Sequence, residues 1–153
     1  MKRLIAKIIP VVLLCGLILC CPSLTKTASA SAAKTVSNFY IDGYVVDNTF
    51  YESNYTALTD KSSFPMLLET HQMGYGSTIF KLDGGQLSSS EYTEMQREPI
   101  YDSSSRVVVG WNIVWRINPN SSDLYKGTHK LEAKCIGIGG NIISDRISFQ
   151  IRN

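Results

Sequence analysis

The eleven residues Val107 to Ile117 (VVVGWNIVWRI) constrain this chain more than any other stretch. Val107, Val109, Trp111, Ile113, Trp115 and Ile117 are large and apolar, while Gly110, Asn112 and Arg116 fall between them. Apolar residues at every second position put one face of an extended strand into a core. A helix would need repeats of three and four, and no window of a dozen residues beyond residue 37 shows them. The chain is therefore expected to be all-β, with any helix no more than a short turn.

Two further strands follow. Lys130–Ile136 carries Leu131, Ala133 and Cys135 on one face and Lys130, Glu132 and Lys134 on the other. Ile142–Ile151 turns Ile147, Phe149 and Ile151 inward and Arg146, Ser148 and Gln150 outward. Gly137–Asn141 (GIGGN) between them supplies glycines that tolerate the positive φ of a hairpin reversal. Upstream, Phe64–Thr70 and Ser77–Leu82 read as strands, Asp83-Gly84-Gly85 as a turn, and Thr93–Ile100 as an edge strand. Phe39–Val46 alternates imperfectly around Asp42-Gly43. The polar, Tyr-rich stretch Asp47–Ser63 reads as a long loop with room for another strand.

The amino terminus has the three parts of an export signal. Lys2, Arg3 and Lys7 precede an uncharged apolar run of 14 residues, Ile8–Cys21, and Ala28-Ser29-Ala30 offers the small residues of a cleavage site. As a helix that run spans about 21 Å, short of the roughly 30 Å hydrocarbon core. Cleavage after Ala30 is expected, with Ala32 and Ala33 as further candidates. No small residue precedes Cys15, Cys20 or Cys21, so a lipid anchor is not expected. The boundaries are a signal peptide at 1–30, a disordered lead-in at 31–37 and one domain at 38–153. The expected location is secreted or extracellular, with possible association with the cell envelope and no stable membrane insertion after cleavage.

Processing changes the charge and the cysteine count. The whole chain has 15 basic and 13 acidic residues, but residues 1–30 hold Lys2, Arg3, Lys7 and Lys26, leaving 11 against 13. A nucleic-acid partner needs a concentrated positive surface to displace counterions, and no run of Lys and Arg supplies one. Three of the four cysteines lie in the signal. Cys135 alone cannot close an internal disulfide, so stability must come from a buried core.

In the last third the run from Trp111 to Asn118 (WNIVWRIN), then Gly127-Thr128-His129-Lys130-Leu131, then Gly140-Asn141, resembles the closing strands of bacterial immunoglobulin-like (Ig-like) domains. Those domains show an aromatic strand, a G-T-H-x-L approach to the next strand and a G-N hairpin. The likeness covers residues 107–151, and Val36–Val46 is similar to their opening strand. It implies an Ig-like β-sandwich of about seven antiparallel strands, a module that binds or spaces in surface proteins and secreted enzymes.

Catalytic chemistry is thin. Ser77, His71 and Asp102 make a triad only on paper, because Tyr75-Gly76-Ser77-Thr78-Ile79 lacks the second glycine of a nucleophile elbow. His129 is expected to make a local hydrogen bond or pack in the core. Two histidines and one core-facing cysteine do not make a zinc set. Asp60, Asp83, Asp102 and Asp123 are scattered singly rather than spaced for calcium. Glu69 and Glu98 are the pair available for glycoside hydrolysis. No catalytic residue, cofactor or metal is assigned.

Tyrosines are the remaining signal. Tyr51, Tyr55 and Tyr75 fall in expected loops, where flat amphipathic rings suit sugar stacking or protein anchoring. The expected function is a secreted, non-enzymatic binding or adhesion module. Its partner would be a cell-surface glycan or an extracellular protein, with these three tyrosines as candidate ligand contacts. The alternatives are a small secreted hydrolase or an enzyme inhibitor.

Overall fold

The computed structural model describes residues 35–152. The expected signal peptide, with three of the four cysteines, and Asn153 lie outside the described residues. The ten strands are β1 (Asn38–Val46), β2 (Thr49–Glu52), β3 (Thr56–Thr59), β4 (Met66–Met73), β5 (Gly76–Leu82), β6 (Gly85–Gln86), β7 (Tyr92–Tyr101), β8 (Val108–Ile117), β9 (Gly127–Gly137) and β10 (Ile142–Ile151). The only helical element among these residues is a 3-10 turn, Lys61–Ser63. Sheet one runs β2-β1-β4-β8-β7, and sheet two runs β3-β10-β9-β5-β6.

The alternating residues meet between the sheets. Met66, Leu68, Ile113, Trp115 and Ile117 come from sheet one, and Phe80, Leu131, Ala133, Cys135, Ile147, Phe149 and Ile151 from sheet two; all are buried. The Phe80 ring contacts Trp115 edge-on at 5.2 Å and Tyr92 at 5.0 Å, joining β5 to β8 and β7. The Trp115 indole N–H donates to the Thr70 hydroxyl at 3.0 Å, so its one polar atom is satisfied inside the core. Trp111 shares that face but is only half-buried, with the Arg97 guanidinium over its ring at 5.2 Å.

Several expectations need correction. The count of about seven strands, all antiparallel, becomes ten with one parallel pair, β3 against β10. The extra strands β2, β3 and β6 are two to four residues long, too short to show a period. The supposed loop after Val46 is a hairpin, because Asp47 (φ 52°) and Asn48 (φ 58°) form a two-residue reversal that pairs Val46 with Thr49. Tyr51 is consequently in a strand. Val107 precedes β8 and is exposed.

The imperfect alternation of β1 has a physical cause. Its register against β4 shifts between Ile41 and Gly43, leaving Asp42 as an extra residue. Before the bulge Phe39 and Ile41 point inward; after it Tyr44 and Val46 do. The Ile41 N–H donates to Asp145 of β10 at 2.9 Å, a hydrogen bond from one sheet to the other.

Residues 35–37, expected in a disordered lead-in, are tied to the domain. Thr35 bridges Tyr75, Val36 is buried, and the Ser37 N–H donates to the Met73 carbonyl at 2.9 Å. Any Cβ at Gly74 would lie 2.2 Å from the Thr35 carbonyl, and one at Gly137 would lie 2.4 Å from the Thr35 hydroxyl. These glycines leave room for the strap. The long edge strand β7 is protected by Pro99, by a register shift around Met95 and by Glu94, Arg97 and Glu98.

Candidate functional site

Bulge geometry gives Tyr44 its place. Because Asp42 reverses the parity of β1, Tyr44 enters the interior beside β10 and β3. There its hydroxyl accepts the Ala57 N–H at 2.9 Å and lies 2.9 Å from the Tyr55 carbonyl and 3.2 Å from the Ser148 carbonyl. Burial pushes the phenol above its ordinary pKa, opposed by the Ala57 hydrogen bond. From this anchor a ladder of rings runs outward. Tyr44 stacks on Tyr51 at 5.5 Å and Tyr51 on Tyr55 at 5.4 Å, with interplanar angles of 27° and 19°. Tyr51 is half-buried, and Tyr55 is 58% exposed. The turn that carries Tyr55 closes with its N–H donating to the Glu52 carbonyl at 3.0 Å.

Two of the three candidate tyrosines therefore come together, and the third does not join them. Tyr75 lies between β4 and β5, where its hydroxyl donates to the Val108 carbonyl at 3.0 Å and its carbonyl accepts the Ile138 N–H. It pins the turns at the opposite end of β8. Sequence reasoning missed Tyr44, the residue that fixes the ladder; only its even position after Asp42-Gly43 hinted at it.

The paper triad is dispersed. Ser77 lies on the outer face of sheet two and His71 on the outer face of sheet one. His71 stacks on Tyr40 at 4.7 Å, and its Nδ1–H donates to the Asn112 side chain at 2.9 Å. Asp102 closes the turn after β7, accepting the hydroxyls and N–H groups of Ser104 and Ser105. Those bonds, the Ser104 hydroxyl foremost, hold its carboxyl far below the usual range. Glu69 and Glu98 are on the outer face of sheet one with β8 between them.

Other polar groups are similarly engaged. Glu91 is buried and accepts from Ser88 N–H (2.7 Å), the Ser88 hydroxyl (2.8 Å), Asn120 N–H (3.0 Å) and the Asn120 side chain (3.0 Å). The Ser88 amide in particular lowers its pKa. His129, without exposed surface, lies with Nδ1 2.7 Å from Asp83 and donates from Nε2 to the Tyr125 carbonyl at 2.6 Å. Burial raises the pKa of the Cys135 thiol, opposed by the Thr78 hydroxyl. No group of three or more His, Cys, Asp or Glu side chains converges as a metal site among the described residues. None of their helices is long and apolar enough to cross a membrane.

Comparison with known families places residues 30–149 in a single model, described as a domain of unknown function (DUF4879). The chain belongs to that family. The match takes in every strand but the final residues of β10, so the ladder and the His129 cluster both lie in the family's shared region. No curated protein matches the chain.

Proposed function

We propose that this protein is a secreted, non-enzymatic binding module with an Ig-like strand arrangement, presenting Tyr51 and Tyr55 to a cell-surface glycan or an extracellular protein. Strand order supports the Ig-like part. With β1, β4, β5, β7, β8, β9 and β10 as A to G, the sheets contain A-B-E-D and G-F-C, the arrangement of Ig constant-type domains. The short strands β2, β3 and β6 are additions at the sheet edges.

The observation that carries the functional part is the stacked ladder ending in an exposed ring. Tyr44 orders the rings without occupying Tyr55, so a ligand meets a surface whose conformational entropy has already been lost. The histidines and the buried carboxylate Glu91 are committed to structural bonds, which supports a binding rather than a catalytic reading. The test is retention of the protein on a glycan array and on isolated cell envelopes, compared with Tyr55→Ala. Retention that Tyr55→Ala reduces by roughly tenfold or more is expected for a stacking contact. No retention on either support, or retention indifferent to Tyr55, overturns the proposal.

A further inference from the structure

The ladder leaves the cluster around His129 unexplained. A core position can be filled by an apolar ring at lower desolvation cost than by an imidazole. Here both ring nitrogens are engaged, and the groups they hold open onto one cleft. The carbonyl that accepts from Nε2 belongs to Tyr125, whose ring lies 4.4 Å from the imidazole. The carboxylate beside Nδ1 belongs to Asp83, and its second oxygen accepts the Lys130 N–H at 2.8 Å. The Tyr125 hydroxyl donates to Asp83 at 3.4 Å, and the Asp83 N–H donates to the Lys130 carbonyl at 2.9 Å. Asp83 (φ 50°) and Gly84 (φ 90°) form the tight reversal that aims this carboxylate. A clamp with one buried member, His129, and one exposed member, Asp83, thus fixes Tyr125 and Lys130 relative to each other.

The cleft beside them is open, about 440 Å³, and includes Gly84, Thr128, Glu132 and Arg146 in its lining. Of its acids, Asp83 is hydrogen-bonded to His129, the Lys130 N–H and the Tyr125 hydroxyl, and Glu132 pairs with Lys134 at 3.6 Å. Among the described residues, Lys130 and Arg146 have no carboxylate within ion-pair distance. Register places Lys81, Glu132 and Arg146 in one row, with Lys130 and Lys134 in the adjoining rows of the same face. Four cations surround one acid on the outer face of sheet two. The outer face of sheet one instead has Glu52, Glu69 and Glu98 with Arg116. The positive patch runs against the acidic balance of the residues after the signal.

We propose that this cleft binds an acidic saccharide. Its anionic substituent pairs with Lys130 and Arg146, and its ring stacks on Tyr125, which is 55% exposed. The Thr128 hydroxyl is available to sugar hydroxyls. This site is separate from the Tyr51–Tyr55 surface and does not depend on it.

The test is calorimetric titration of the protein, as recovered from expressing cells, with three probes at low and physiological salt. These are an oligogalacturonate, its fully methyl-esterified form and a glycerol-phosphate polymer. The oligogalacturonate is expected to bind, more weakly as salt rises. Esterification, Tyr125→Ala, Lys130→Ala and Arg146→Ala should each lower affinity by roughly five- to tenfold. Lys61→Ala and Tyr55→Ala should leave it unchanged, the latter separating this site from the tyrosine ladder. All substituted side chains are solvent-facing, so each variant folds, and unchanged unfolding midpoints check this. No binding of the acid form, or equal binding of the acid and ester forms, overturns the proposal. So does a phosphate polymer binding as tightly as the uronate with Tyr125→Ala without effect, the outcome expected of a bare polyanion surface.

Discussion

Of the exposed tyrosines, Tyr55 and Tyr125 are anchored by opposite chemistry. Tyr55 ends a ladder rooted in a neutral phenol, Tyr44, that bonds only to backbone groups. Tyr125 is held by a histidine–carboxylate pair, and the loop leading to it is fixed by the Glu91 carboxylate through Asn120. Neutral hydrogen bonds are individually modest and indifferent to salt. A buried imidazole that is removed leaves the carbonyl it served without its donor. Similar displayed rings therefore come with different vulnerabilities, and each anchor should fail under its own conditions.

The largest test removes the buried imidazole. His129→Ala empties a buried aromatic position and removes the donor to the Tyr125 carbonyl, while Asp83 keeps solvent, the Lys130 N–H and the Tyr125 hydroxyl. It should cost about 3–5 kcal/mol, read as a fall in the urea midpoint. A loss below about 1 kcal/mol would mean that the clamp adds little. Tyr44→Phe keeps the ring stack but leaves the buried Ala57 N–H without an acceptor. The expected loss is smaller, about 1–3 kcal/mol. A greater loss than that of His129→Ala would reverse the comparison.

The pH limits sharpen the contrast. Glu91 has its pKa depressed in the folded protein, so its contribution is present above the ordinary value of 4.5 and is lost as pH falls through the folded value. Glu91→Gln should flatten the acid limb of a stability–pH profile. Tyr44 has its pKa raised, so its contribution is intact below the ordinary value of 10.0 and is lost as pH rises through the folded value. Tyr44→Phe should flatten the alkaline limb and leave the acid limb alone. Profiles in which either variant alters both limbs would break the separation. The smallest effect belongs to the displayed rings. Tyr55→Ala and Tyr125→Ala should each move stability by no more than about 0.5 kcal/mol in chemical denaturation.

The long alternating strands of both sheets were legible in advance, and β1 and the short edge strands were not, for local reasons. Lys130–Cys135 and Arg146–Ile151 alternate without interruption, so their inward faces follow from period alone. Along β1 the same signal breaks at Asp42, since a bulge reverses which parity is buried, and Tyr44 consequently reads as a surface residue. The edge strands Thr49–Glu52 and Thr56–Thr59 are too short for periodicity to show. A sharper reading of Asp47-Asn48, two residues that tolerate positive φ, would have found the first of them. The candidate site was half legible: loop tyrosines pointed to Tyr51 and Tyr55, but also to Tyr75, whose hydroxyl is consumed by a carbonyl from β8. Asp83 was read as part of a turn. Its pairing with His129, 46 positions along the chain, depends on how β5 meets β9 and leaves no trace in local sequence.

The glycine-lined seat of Thr35 and Val36 bears on how the chain can be trimmed. Gly74, Gly76 and Gly137 provide a slot one backbone wide, closed by the Asn141 side chain donating to the Val36 carbonyl. Cutting after Ala30, Ala32 or Ala33 keeps the occupant of that slot. A cut only a few bonds further along would evict it and bare Cys135, whose sulfur lies beside Gly76 under Val36. The permissible start of a processed chain is thus fixed within a handful of residues, and a thiol reagent that finds Cys135 would report that the limit had been crossed.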